Sequence, residues 1–242
     1  MGLLIRAGGK VICVDYFASP DPERAVPPPI ARETLTGVDV FVGTHDHIDH
    51  IDHDSWKVWA ANNPEAKFVF PRAHKAAVLA DGVAEENAVG LNDGESIDLD
   101  GVTIRAVAAA HEFLEMDEDT GLYPHLQYII EADGARIYHA GDTVRYEGML
   151  GKITAYGPID LMLVPINGRD AVRLRQNLIG NMTYQEAADL AGDIVPKTVI
   201  PGHWDMFAFN SEDPAKFEDY IEVKYGGKFR CVVPSVMEEI PL

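Results

Sequence analysis

Cysteine is scarce in this sequence, with Cys13 and Cys231 the two among 242 residues. Both lie in apolar runs, VICVDYF and FRCVV, without C-x-x-C spacing. That excludes a zinc knuckle and a redox dithiol, and it leaves two buried free thiols of a reducing compartment, so a cytoplasmic protein is expected. Long hydrophobic runs are lacking as well: none is long enough to span a bilayer. Residues 1–10 have neither the apolar stretch nor the small-residue cleavage site of a signal peptide. Positive charge is in deficit, with 20 Lys and Arg against 39 Asp and Glu and a formal net charge of −19. A field of that sign repels nucleic-acid phosphates and anionic membranes, so a small molecule is the expected partner rather than either of these. No G-x-S-x-G elbow is present, which removes the usual serine nucleophile of hydrolases. Repeats and low-complexity tracts are also missing. The proline-rich stretch 19–30 (SPDPERAVPPPI) reads as a loop, because its prolines suit neither helix interiors nor central strands. One domain over residues 1–242 follows.

What is present is a mixture of short strands and helices. GLLIRA, KVICVDYF, VDVFVGT, KFVFP, GVTIRAVAAA, LQYIIEAD, ARIYHAG, DLMLVPI, KTVIPG and FRCVVP are rich in Val, Ile, Phe and Tyr and bounded by Gly, Pro or Asp. Asp133-Gly134 between two of them signals a hairpin. Helices are expected over 54–62, 72–80, 144–156, 184–195 and 214–225. Thr183 with Glu186 makes a capping box, and Asp213-Pro214 an N-cap followed by proline at the first helical position. Hairpins with interspersed helices predict an α/β chain of two mixed sheets packed face to face, helices outside: a four-layer αββα sandwich.

The chemistry is concentrated in VDVFVGTHDHIDHID, residues 38–52. An apolar strand runs into His45-Asp46-His47-Ile48-Asp49-His50, the pattern H-x-H-x-D-H. Imidazole and carboxylate suit zinc, manganese or iron. Two histidines one residue apart in extended chain project to the same side, so His45 and His47 can hold one ion. The following turn redirects Asp49 and His50 toward a second. Two ions about 3.5–4 Å apart can clamp a hydrolytic transition state. A solvated turn that happens to be rich in His and Asp is the alternative. It would be an odd continuation of a buried strand. Further ligands should stand at strand ends, where a rigid scaffold places site residues. His111, Asp142 and His203 are each the first strongly ligating residue after an apolar run.

THDHIDH, a lone His after a strand, a GDT and a final GH resemble the metallo-β-lactamase superfamily over almost the whole chain. The resemblance implies that His45, His47 and His111 hold one metal, that Asp49, His50 and His203 hold a second, and that Asp142 bridges them. Two divalent ions, zinc or manganese, are the implied cofactors. Within the superfamily, THDHIDHID, VICVDYF and the segment from Asp160 to His203 look most similar to the bacterial L-ascorbate-6-phosphate lactonase group. The chain departs from that group at two points. An extra strand usually precedes the segment equivalent to GLLIRA, and His111 is an ordinary superfamily ligand where the lactonases are expected to differ. GLLIRA is therefore expected along a sheet edge, exposed or covered by another chain of a homo-oligomer.

These features predict a hydrolase in which a metal-bound hydroxide attacks a small, phosphorylated lactone or ester, with Asp49 orienting the nucleophile and relaying its proton. A metallo-phosphodiesterase on the same ions is one alternative. A non-hydrolytic redox or sensor protein is another, though the dominance of histidine argues against it. Arg169, Arg173 and Arg175, in NGRDAVRLRQN, are candidates to bind an anionic group, assisted by Asn181 or Thr183, because arginine's planar fork matches phosphate oxygens. The rival reading is that they pair with nearby carboxylates. His125 is the best non-ligand candidate to touch substrate. Asp15 could brace the metal loop through hydrogen bonds. His53 is expected at the surface or behind the ligands, His74 at the surface, His139 in the core, behind the ligands or in a catalytic role, and Trp56 and Trp59 in the core.

Overall fold

A computed structural model describes residues 1–242. The first sheet has five strands in sequence order: β1 (Leu3–Ala7), β2 (Lys10–Val14), β3 (Val40–Val42), β4 (Lys67–Pro71) and β5 (Ala88–Leu91). β1 and β2 are antiparallel and the later pairs parallel. The second sheet holds β6 (Ser96–Asp98), β7 (Val102–Ala108), β8 (Leu126–Ala132), β9 (Ala135–His139), β10 (Leu161–Pro165), β11 (Thr198–Gly202) and β12 (Arg230–Cys231). Its β6–β9 meander is antiparallel and β9–β12 are parallel. Asp133 and Gly134 turn the β8–β9 hairpin at φ 52° and 79°, the left-handed pair that a two-residue hairpin loop requires.

Three apolar clusters define the layers. Ile12, Val42 and Val69 of the first sheet meet Ile104, Tyr128, Leu163 and Ile200 of the second between the sheets. Outside the first sheet, Phe41, Phe68 and Phe70 pack on Trp56 and Trp59 of α1 (His53–Asn62) and Val78 of α2 (Lys75–Ala80). Outside the second, Met162 and Val199 pack on α3 (Met149–Thr154), α5 (Tyr184–Ile194) and α6 (Pro214–Tyr225), with α4 (Ala171–Arg175) a short turn before α5. This is the expected αββα sandwich.

The expected helix starts hold. Thr183 and Glu186 make the reciprocal capping box, and the Asp213 side chain accepts from Ala215 N. Three local expectations change. The helix expected over 144–156 is confined to Met149–Thr154, because Thr143 and Val144 are tied to Ala110: Thr143 Oγ1 accepts from its N–H and Val144 N donates to its carbonyl. Val195 leaves α5 at φ 55°. Strands β5 and β6 and helix α4 were not expected at all; they are only three to five residues long. β1 is an edge strand as expected, flanked by the C-terminal residues through Arg6–Glu239 at 3.8 Å and through Ile240 against the inter-sheet core. Both thiols are free, and burial pushes the Cys231 pKa up to about 12. No helix is long and apolar enough to cross a membrane.

Candidate metal centre

Five strands deliver their next residues to one end of the sandwich. β2 leads to Asp15, β3 to His45–His50, β7 to His111, β9 to Asp142 and β11 to His203. After β3 the chain turns sharply, with His50 N and Ile51 N both donating to His47 O at 2.9 Å. Asp52 then caps α1, accepting from Ser55 N. Gly141 sits at φ 56° against Thr44, where a Cβ would come within 2.8 Å of the threonine Cβ. Only glycine lets β9 carry Asp142 this close to the β3 turn. Gly180 likewise lies against the His111 ring, where a Cβ would come within 2.7 Å of Cε1.

The result is three overlapping groups: His45 with His47 and His111; His45 with His50 and Asp142; and Asp49 with His50 and His203. Within each, the ligand atoms lie within 4.8 Å of one another. His203 Nε2 is 3.1 Å from Asp49 Oδ2 and 3.2 Å from Asp142 Oδ2, and His50 Nε2 is 3.3 Å from Asp142 Oδ1. His45, His50, Asp142 and His203 are buried, His111 and Asp49 are half-buried, and His47 is exposed.

Hydrogen bonds fix which ring nitrogens face inward. Buried Asp15 accepts from His50 Nδ1 at 2.6 Å, from Thr44 Oγ1 at 2.7 Å and from Thr44 N at 2.9 Å. With Nδ1 so engaged, His50 presents Nε2, and that nitrogen is buried with no hydrogen-bond partner, as is Asp142 Oδ1. Buried polar atoms are rarely left unpaired. An unpaired imidazole nitrogen beside an unpaired carboxylate oxygen, each aimed at the same space, is a donor set that fits a divalent cation.

The charges agree. Burial opposes ionisation of Asp142 and Asp49, but His203 and His50 outweigh it and hold both carboxyls below the usual range. Burial also opposes the charged form of His203, yet Asp142 and Asp49 raise its pKa to about 9, and His50 is raised for the same reason by Asp142 and Asp15. Without a cation, protons neutralise this end of the site. Burial, with neighbouring cations, lowers the pKa of His45 and of His111.

Residues 12–204 match the family model described as a β-lactamase superfamily domain. This chain belongs to the metallo-β-lactamase superfamily. It is 31% identical to a UPF0173 metal-dependent hydrolase of Pyrococcus abyssi, over 97% of this chain and 93% of that one, which places it in the UPF0173 family. Among solved structures it is similar to Igni18, a metallo hydrolase of Ignicoccus hospitalis, with 24% identity, a TM-score of 0.71 and coverage of 96% and 91%. It is also similar to an isothiocyanate hydrolase from Delia radicum gut bacteria, with 18% identity, a TM-score of 0.77 and coverage of 100% and 95%. The chain is a metal-dependent hydrolase.

The structure therefore brings together all seven residues expected as ligands. The other expected residues fall differently. His125 stands at the rim, its ring 5.3 Å from those of both His45 and His111, and burial and His111 push its pKa down to about 4. Asn181 is buried and serves the site from behind: Nδ2 donates to Asp142 Oδ2 at 2.9 Å and to Asn167 Oδ1 at 3.0 Å. Arg169 is engaged by both carboxylate oxygens of Glu186, at 2.6 and 2.7 Å, and by Asn181 O at 3.1 Å. Arg173 is buried and donates to Gly168 O at 2.8 Å and Asp170 Oδ2 at 3.0 Å. Arg175 is exposed. Asp15 braces His50 as expected, and His139 donates to Met1 O at 3.0 Å from the core. His74 is not a surface residue; it is half-buried and donates to Pro124 O at 2.7 Å.

Sequence reasoning missed the group formed by Asp46, His53, His74 and Asp81. One signal was available. His53 opens α1, where the helix dipole disfavours a cation, so a histidine there calls for acidic partners.

Proposed function

We propose that this chain hydrolyses a small lactone or carboxylic ester with two divalent ions, zinc or manganese. His45, His47 and His111 would hold one ion, Asp49, His50 and His203 the other, and Asp142 would stand between them. The observation that carries this reading is the unpaired, buried His50 Nε2 facing the unpaired Asp142 Oδ1. What such ions supply when bound is Lewis acidity and a water acidified to near neutrality.

The chain's own residues do the rest. Asp49, with its Oδ2 3.1 Å from His203 Nε2, would hold an ion with one carboxylate oxygen and use the other to orient an attacking water and accept its proton. His125, neutral at pH 7 and at the open rim, is placed to contact the substrate carbonyl. A neutral imidazole there suits a carbonyl oxygen better than a phosphodiester, which calls for cationic donors. With Arg169 and Arg173 already engaged, Arg175 is the arginine left to meet a phosphate on the substrate.

Purified protein loaded with zinc or manganese should open phosphosugar lactones or uncharged lactones and esters, and lose that activity to a chelator. Turnover of phosphodiesters alone would overturn the ester reading in favour of phosphoryl chemistry.

A further inference from the structure

His47 is the exposed ligand of the centre, in the turn after β3, with its Nδ1 2.9 Å from Nε2 of the buried His45. A ligand must nonetheless be held in place if it is to bind a metal tightly. The residue before it supplies a hold. Asp46 Oδ1 accepts from His53 Nε2 at 2.6 Å, and Asp46 Oδ2 lies 3.6 Å from His74 Nδ1. His53 is anchored in turn. Its Nδ1 donates to Asp81 Oδ2, on the buried carboxylate that ends α2. A ring donating from both nitrogens is an imidazolium, and Asp81 and Asp46 raise its pKa against the effect of burial. The 3-10 turn Arg72–His74 extends the chain of contacts: His74 Nε2 donates to Pro124 O, next to His125. Asp81, His53, Asp46 and His74 thus tie two helices to the metal turn and to the rim of the pocket. None of them points a ligand atom into the three groups that could hold an ion. The helix itself gains nothing from a cation at its first position.

We propose that the Asp81–His53–Asp46–His74 chain is an outer brace that positions His47, and so sets the affinity of the metal position formed by His45, His47 and His111. This rests on the two-ion reading above. His53 is a positioning residue: it touches neither metal nor substrate, and acts through the Asp46 backbone on the ligands either side of it. Partners of this kind, one step removed from the metal, typically change its affinity by about 10–100-fold.

The test is metal binding by the full chain, measured by equilibrium dialysis with zinc and by the visible absorption of the cobalt-loaded protein. Wild type should hold two ions per chain. His53→Ala should weaken one of the two ions by about tenfold or more, leave the other within about twofold, and change only part of the cobalt spectrum. His53→Gln, whose amide nitrogen can reach Asp46 as Nε2 does, should recover much of the loss. Thermal melts of the metal-free variants check that the fold survives; if His53→Ala does not fold, Asp81→Leu, which removes the acceptor for His53 Nδ1 at similar size, takes its place. Two ions bound with wild-type affinities in the variant would overturn the brace alone, and so would equal weakening of both. A wild type that holds a single ion would overturn the two-ion reading, and the brace with it.

Discussion

The two halves of the metal centre are built in opposite ways. On the inner side His50, Asp142 and His203 are buried, and so are Asp15 with Thr44, which orient His50, and Asn181, which holds Asp142. On the outer side His47 is exposed, His111 and His125 are half-buried, and the supporting contacts from His53 and His74 reach the ligand turn across solvent-facing ground. The inner half combines carboxylates with histidines whose pKa values are raised. The outer half is imidazole alone. A low-dielectric environment makes the inner charges interact strongly and punishes any unpaired group. The outer half, nearer water, holds its geometry by a chain of polar side-chain contacts, and it is where a substrate would arrive. One chain can thus present a tightly determined position beside a more adjustable one.

The largest contrast to test is pH dependence. In the metal-free protein His203 has a pKa of about 9, and His50 is also raised. Both rings must lose a proton to ligate, so binding at the inner position competes with protons. The sign follows. Below about pH 9 His203 is protonated, and inner affinity should rise by about tenfold per pH unit for each proton expelled, then flatten once the pH passes that pKa. His45 and His111 are held neutral by burial and neighbouring cations, so their half should change far less between pH 7 and 9. Isothermal titration of zinc in buffers of different ionisation enthalpy counts the protons released at each step. Equal proton release at both steps would erase the distinction.

Next in size is Asp15→Asn. The amide keeps the shape, but its one oxygen can replace only one carboxylate oxygen: in place of Oδ2 it still accepts from His50 Nδ1 and Thr44 Oγ1, while the charge and the acceptor for Thr44 N are lost. Affinity at the inner position should fall about 10–100-fold, with the outer position little altered. Equilibrium dialysis of the variant beside wild type reads this directly. Loss at the outer position instead would show that Thr44, which also lies 3.1 Å from His45 Nδ1, transmits the change across the centre.

The inner half was legible in the sequence and the outer support was not, for a physical reason. Three residues of the inner half end apolar runs: Asp15, the brace of His50, after VICV, Asp142 after ARIYHAG, and His203 after KTVIPG. A strand that stops at a strongly polar residue announces that residue. Short apolar runs bounded by Gly, Pro or Asp, with hairpin signals between them, also announced the sandwich, whose central strands are buried on both faces. β5 and β6 escaped because they are short and half-exposed, and the start of α3 shifted because Thr143 and Val144 bond to Ala110, thirty-odd residues earlier in the chain. The contacts among Asp46, His53, His74, Asp81 and Pro124 are of the same long-range kind, between polar residues at turns and helix ends, and apart from the histidine that opens α1 no local pattern encodes them.

The smallest expected effect concerns the charge of the substrate, and it separates two arginines six residues apart. Arg169 spends its fork on Glu186, whose carboxylate also accepts from Thr183 N in the capping box of α5. Arg169→Ala should therefore act on stability. The pair is partly exposed, and an ion pair of that kind is screened by solvent, so a loss of about 1 kcal/mol or less is expected in a thermal melt, with no change in KM. Arg175 is exposed on the short α4. If it meets a phosphate on the substrate, Arg175→Ala should raise KM about twofold to fivefold for a phosphorylated lactone and leave an uncharged lactone unchanged, the scale of one solvent-screened charge contact. Metal content should stay at wild-type level in both variants. A KM effect from Arg169→Ala larger than its effect on the melt would mean that the fork leaves Glu186 when substrate binds. No KM effect from either variant would leave the pocket without an arginine for a phosphate and point to an uncharged ester or lactone as the substrate.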